Sequence, residues 1–189
     1  PDFAKKIKTL NIPILQISIL NFADLQWQLL KIGALLGKKG KAQGQVNMWQ
    51  QSLRAAKERS DSKRPIRVYF EFWQDPPISV GGKSFIDEII KLAGGVNILV
   101  SENKSYVKPN EESIIAMDPE VIVIGRMATG NIEFPAYWKN ITAVKRGLIV
   151  SNIDPDLLLR PGPRVFEGLK RLTLEFDHVR TVLDKKDKK

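Results

Sequence analysis

The stretch Arg67–Gly95, RVYFEFWQDPPISVGGKSFIDEIIKLAGG, constrains the fold more than any other part of the chain. Val68, Tyr69, Phe70, Glu71, Phe72 and Trp73 are rich in the aromatic residues that suit a buried, pleated strand. Asp75-Pro76-Pro77 must end that strand, because proline has no N–H to give to a ladder, and Trp73 is thereby left at the strand's carboxyl end. Gly81-Gly82 supply a turn without Cβ atoms. Ser84 is placed to cap a helix with Asp87 three residues on, and Ile86, Ile89, Ile90 and Ala93 recur at helical spacing. Gly94-Gly95 end that helix, with Lys91 in its last turn. In open α/β sheets ligands sit outside the carboxyl ends of the strands, so a tryptophan followed by a proline- and glycine-rich loop reads as a pocket wall.

The rest of the chain alternates helical and strand patterns. Phe3, Ile7 and Leu10 share one helical face, Asn11 suits the left-handed position after a helix, and Ile12-Pro13-Ile14-Leu15-Gln16-Ile17 reads as a buried strand. From Asn21 to Ser60 the pattern is helical: Leu25, Leu29, Ile32 and Leu36 form one stripe, Gly37 to Gly40 a break, and Val46, Trp49, Leu53 and Ala56 a second stripe. A second helix of about 18 residues spans about 27 Å and can serve as a stiff connecting rod. Asp61-Ser62-Lys63-Arg64-Pro65 is a polar boundary before the main strand. Past Gly95, Asn97–Val100 is a short apolar run, and Ser101–Pro109 is polar apart from Tyr106 and Val107. Asn110 can cap a short helix with Glu111 and Glu112 in its first turn, ended by Asp118-Pro119. Val121–Ile124 and Leu148–Val150 read as buried strands, with a helical or irregular segment between them over Tyr137–Lys145. Arg160-Pro161-Gly162-Pro163 leads into a helix carrying Val165, Leu169, Leu172 and Phe176 on one side. Strands alternating with helices predict an α/β fold with a parallel central sheet.

Composition narrows the chemistry. With no cysteine there is no disulfide framework, cysteine-ligated zinc, iron–sulfur cluster or thiol nucleophile, and a single histidine, His178, offers neither a histidine-rich metal site nor a Ser-His-Asp triad. The net charge of +9 raises nucleic-acid binding, but the lysines are scattered apart from Lys38-Lys39-Gly40-Lys41 and the run Lys185–Lys189, with no aromatic-interleaved basic stripe. An enzyme on a doubly wound sheet would need a phosphate loop or an acid–base pair. Gly81-Gly82-Lys83-Ser84 lacks the first glycine of a P-loop, and Asp154 and Asp156 beside Pro155 read as turn formers. These remain the alternatives to a binding module. No apolar stretch reaches the length of a membrane span, and no signal-peptide pattern stands at Pro1.

Five segments, in order, resemble the substrate-binding proteins of ABC importers for iron–siderophore complexes, haem and cobalamin, whose two lobes are joined by a long helix. They are IPILQIS with LLKIGALLGKKGKA; RVYFEFWQDPPISVGGKSFIDEIIKLAGGVNI; YVKPNEESIIAMDPEVIVIG; YWKNITAVKRGLIV; and IDPDLLLRPGPRVFEGLKRL. The family's pattern has Ser or Thr where this chain has Asn110, an equally good cap. The resemblance implies that residues 1–21 finish an amino-terminal lobe, that 22–64 are inter-lobe linking helices, that 65–178 form a Rossmann-like carboxyl-terminal lobe and that 179–189 are a charged tail. It further implies that most of the first lobe, with any signal segment or lipid-anchor cysteine, lies upstream of Pro1, leaving an exposed edge through which copies of this chain self-associate.

The same resemblance implies capture without chemistry: no catalytic residue, no resident cofactor and no protein-bound metal, but a ferric siderophore, haem, cobalamin or related chelate held between the lobes, outside the cytoplasm, and handed to a membrane permease. The residues at strand ends and helix starts that would contact it are Trp73, Tyr106, Arg160, Phe72 and Arg126: aromatic faces for the apolar surface, guanidiniums for its carboxylates or catecholate oxygens. Phe72 also alternates with Val68 and Phe70 and so equally suits the core. Glu112 corresponds to a glutamate that projects from the lobe's tip and pairs with permease arginines.

Overall fold

The computed structural model describes residues 2–11, 13–127 and 132–186. Its elements are α1 (Asp2–Thr9), α2 (Phe22–Leu35), α3 (Lys39–Asp61), β1 (Ile66–Glu71), β2 (Ser79–Val80), α4 (Phe85–Leu92), β3 (Gly95–Asn97), β4 (Tyr106–Val107), α5 (Glu111–Met117), β5 (Val121–Ile124), a 3₁₀ turn (Ala136–Asn140), α6 (Thr142–Arg146), β6 (Ile149–Val150), α7 (Asp156–Leu159) and α8 (Val165–Lys186). The main sheet has the order β3-β1-β5-β6, every pair parallel, and β2 and β4 form a separate antiparallel ribbon.

Alternation along the strands divides the core in two. Val68, Phe70, Val121 and Val123 face a cluster with Ile86, Ile89 and Ile90 of α4 and the α8 stripe Val165, Leu169, Leu172, Phe176. Tyr69, Ile122 and Ile124 face the opposite cluster, with Ile114 of α5, Trp138 and Ala143. α2 and α3 lie over the first cluster through Phe22, Leu25 and Trp49. Phe22 stacks on Phe85 and Phe166 at ring separations of 4.9 and 5.4 Å.

The expected caps are made. Asn21 Oδ1 accepts the N–H of Asp24, Ser84 Oγ that of Asp87 and Asn110 Oδ1 that of Glu112. Asp118 ends α5 in the left-handed conformation, and its carboxylate turns to accept both the N–H and the hydroxyl of Thr142 at 2.7 and 2.8 Å.

Three expectations change. Pro13–Ile17 are not a buried strand: Ile14, Leu15 and Ile17 are all exposed and no strand among the described residues pairs with them, so their backbone has no ladder to join; Ile12 lies outside the described residues. The charged stretch from Val179 is helix as far as Lys186, because Val179 and Leu183 extend the α8 stripe into the core. Burying each contributes about 1.5–3 kcal/mol, which a solvated tail would forgo. Leu36 departs from the α2 stripe and is exposed, while α3 runs to 23 residues, longer than its apolar pattern.

Candidate functional site

The chain leaves β1 for β3 on one side of the sheet and later builds β5 and β6 on the other, so the strand order reverses between β1 and β5. A crevice outside the carboxyl ends of strands at such a reversal is where open α/β sheets bind ligands. The residues that emerge there are Phe72 and Trp73 after β1, and Gly125 and Arg126 after β5.

A short hairpin holds the aromatic pair after β1. The N–H groups of Phe72 and Trp73 both donate to the Ile78 carbonyl, at 2.9 and 3.1 Å, and the Ile78 N–H donates back to the Trp73 carbonyl at 2.9 Å. The Trp73 indole N–H donates to the Asp75 carbonyl at 2.9 Å, which fixes one edge of the ring while the residue stays 52% exposed. Tyr106 on β4 lies opposite Val80 of β2, 56% exposed, with its ring centroid 5.1 Å from that of Phe72. Phe72 is half-buried against the core and joins it to the Tyr106 ring.

Gly81 and Gly82 let the loop after β3 close on this ribbon. A Cβ at Gly81 would stand 2.4 Å from the Lys104 carbonyl oxygen, and one at Gly82 2.2 Å from that of Val100. Their N–H groups donate to Ser105 and Glu102 carbonyls at 3.1 and 2.9 Å. The closure leaves an open groove of about 450 Å³, floored by Ile78, Leu99, Val107 and Pro109 and rimmed by Tyr106, Lys104, Lys108 and Glu102.

Arg126 is held from within. Its guanidinium lies 3.0 Å from the carboxylate of Glu71, which is 2% exposed, and donates to the Gln74 amide oxygen Oε1 at 2.7 Å; Gln74 in turn donates to the Glu133 carbonyl at 2.9 Å. Burial pushes the Glu71 carboxyl up from the usual glutamate range, against the pull of the Arg126 charge. Burial also drives the Tyr69 phenol far above its ordinary value, with the Glu71 and Glu111 charges acting in the same direction. Arg126 therefore serves the scaffold rather than standing as a solvated loop residue. Arg160 follows α7, three-quarters exposed, and pairs with Asp156 at 2.9 Å. No described contact joins it to the aromatic pair.

Glu112 is exposed at the first turn of α5 and forms no ion pair among the described residues, whereas Glu111 accepts the hydroxyl proton of Tyr137. His178 is exposed, and no group of three or more His, Cys, Asp or Glu among the described residues is placed to hold a metal ion. No helix among them is long and apolar enough to cross a membrane. Sequence reasoning missed Glu71, Gln74, Lys104 and Lys108. A carboxylate inside the aromatic run Tyr69–Trp73 and lysines two residues either side of Tyr106 were the available signals.

Several known proteins are similar to this chain. The vitamin B12-binding protein of Vibrio parahaemolyticus is 23% identical over 176 residues, 93% of this chain and 64% of that protein. An uncharacterized ABC transporter substrate-binding lipoprotein of Bacillus subtilis, YvrC, is 27% identical over 177 residues, 90% of this chain and 56% of that one. The chain thus spans less than two thirds of the length of these relatives. Among solved structures, the periplasmic vitamin B12 binding protein BtuF of Vibrio cholerae superposes with a TM-score of 0.80 at 20% identity, covering 95% of this chain and 71% of that one. The periplasmic heme-binding protein RhuT of Roseiflexus superposes with a TM-score of 0.81 at 19% identity, covering 95% and 72%. At these identities the two structures establish the fold alone. Residues 3–157 match the periplasmic binding protein family, and with most of the chain inside that match, this parallel sheet and its aromatic rim belong to a member of the periplasmic binding protein family.

Proposed function

We propose that the chain is part of the solute-binding component of an ABC importer, which captures a ferric siderophore, haem, cobalamin or related metal chelate and delivers it to a membrane permease without catalysing a reaction. The observation that carries this reading is the exposure of two large aromatic rings, Trp73 and Tyr106, beside the strand-order reversal of a parallel sheet. Exposed rings on a fixed frame offer flat apolar area to a bulky ligand at little cost in ordering. The names of the relatives, which bind vitamin B12 or heme, support the ligand class. The family's location and the lipoprotein relative support a place outside the cytoplasm.

In this reading residues 65–178 form one lobe of a two-lobed cleft, 22–64 the link and 1–21 the end of the other lobe. Phe72, Trp73 and Tyr106 supply aromatic contacts. Arg126 acts through the scaffold, and Arg160 must swing from Asp156 to reach a ligand. The exposed Ile14, Leu15, Ile17 and Leu20 also give isolated copies of this chain a surface for self-association, measured as a concentration-dependent mass in sedimentation. The decisive experiment is absorbance and mass spectrometry of the protein purified from its host. Bands of a ferric siderophore, haem or corrin support capture, and a protein that neither retains nor binds any chelate removes it.

Docking is separable from capture. Glu112→Arg in the protein as its host makes it should leave chelate affinity and melting temperature nearly unchanged while uptake of labelled chelate falls strongly, because like charges across an interface cost several kcal/mol. Normal uptake would leave Glu112 as a helix-end charge.

A further inference from the structure

The groove beside Tyr106 says more about the ligand than the aromatic rings do. The two arginines expected to meet an anion are paired with the protein's own acids: Arg126 with the buried Glu71 and Arg160 with Asp156. Two further cations, Lys104 and Lys108, rim the groove on either side of Tyr106. Lys104, Tyr106 and Lys108 all line this groove, as a row of cation, ring and cation. Both lysines are exposed, and neither has a carboxylate within 4 Å among the described residues. Glu102 is the one acid on the rim, so the groove keeps a net positive charge. The row is fixed in place by its backbone: the Lys104 carbonyl accepts the Lys83 N–H at 3.2 Å, and Tyr106 pairs with Val80 in the ribbon.

We propose that this groove selects an anionic ligand: a chelate with an apolar face that lies on Tyr106 and with carboxylate or catecholate oxygens that reach Lys104 and Lys108. The inference rests on the chelate-binding reading and narrows it. Lys104 and Lys108 stand four residues apart along the groove. Their four-carbon stems let the two ammonium groups splay to opposite edges of a ligand or converge on one, while the groove floor of Ile78 and Pro109 meets its apolar body. A neutral chelate would gain the apolar contact alone.

The test is equilibrium binding, read by tryptophan fluorescence quenching, on the protein as its host makes it and on the Lys104→Gln/Lys108→Gln variant. The anionic probes are haemin and an iron(III) tris-catecholate; the neutral probes are an iron(III) trihydroxamate and cyanocobalamin. The expected result is that an anionic probe binds at least about tenfold more tightly than either neutral one, with an affinity that falls as salt rises. The double variant should lose about tenfold for that probe and nothing for the neutral ones. A neutral probe binding most tightly, or an anionic probe bound equally by both proteins, overturns the inference and leaves chelate capture standing. Failure of all four probes to bind overturns both.

Discussion

The two ends of the central sheet are built on opposite principles. At the amino-terminal end charges consume one another: Arg59, Lys63 and Arg180 surround Asp177, while Arg64 and Arg67 engage Glu120 and Asp118. Arg180 also donates to the Gly94 and Arg64 carbonyls at 2.6 and 2.9 Å, tying α8 to the start of β1. At the carboxyl-terminal end one buried pair, Glu71 and Arg126, steadies the loops, and the groups around it are left unspent: exposed rings of Trp73 and Tyr106, and Lys104 and Lys108, which form no ion pair among the described residues. An end whose polar groups satisfy each other has little to offer a ligand. An end that holds exposed apolar rings and cations on a fixed frame has both area and charge to offer.

Substitutions that spare one end and damage the other test this contrast. The largest effect is expected from Arg126→Ala, which leaves the buried Glu71 carboxylate without its partner. Breaking a buried pair by removing one member typically costs about 3–5 kcal/mol, and urea unfolding should show a loss near the lower figure because Arg126 itself keeps some solvent contact. A change below about 1 kcal/mol would mean that water can replace the guanidinium and that the carboxyl end is no more rigid than its surroundings. Next come Trp73→Ala and Tyr106→Ala. Each should weaken chelate binding by about 2 kcal/mol, roughly thirtyfold, with little change in unfolding midpoint, since both rings are more than half exposed. Unchanged affinity in both variants, with folding intact, would take the ligand away from this end.

Arg64→Ala, at the opposite end, should cost less than about 1 kcal/mol and leave chelate affinity untouched, because Arg67 remains beside Glu120 and half-exposed ion pairs are weak. A loss of affinity there would erase the distinction between the ends. The smallest expected effect is on a slope. Burial raises the folded-state values of Glu71 and Glu88, so the folded protein holds protons that the unfolded chain releases between the ordinary glutamate value and the raised one. Their contribution to stability is therefore present at low pH and declines as pH rises through that window. Glu88→Gln should remove its share of the decline in unfolding midpoints measured upward from pH 4.5, and an identical slope in the variant would place the Glu88 titration elsewhere.

Legibility followed the range of the interaction. Ser84 with Asp87 and Asn110 with Glu112 make their caps within three residues, and the α8 stripe repeats within one helix, so each could be read locally. Trp73 and Phe72 were likewise legible as strand-end aromatics, because Asp75-Pro76-Pro77 fixes where β1 must stop, and Tyr106 as an aromatic just before the Asn110 cap. Arg126 was legible at its strand end, but its ion pair was not, since its partner Glu71 stands 55 residues earlier. The β2–β4 ribbon was not visible at all: two strands of two residues have no period to read, and only the fold brings Ser79 opposite Val107.

Residue order thus set what is decided within a turn or a strand: the α/β class, the helix starts and stops, the apolar faces and the aromatic exit from β1. Tertiary structure alone decided how distant charges are shared out. Arg126 was drawn to Glu71, and Lys104 and Lys108 were left facing the groove beside Tyr106. The physical reason is that a charge is satisfied by whatever opposite charge lies within a few ångströms of it, and for Arg126 that neighbour is supplied by strand order rather than by spacing along the chain.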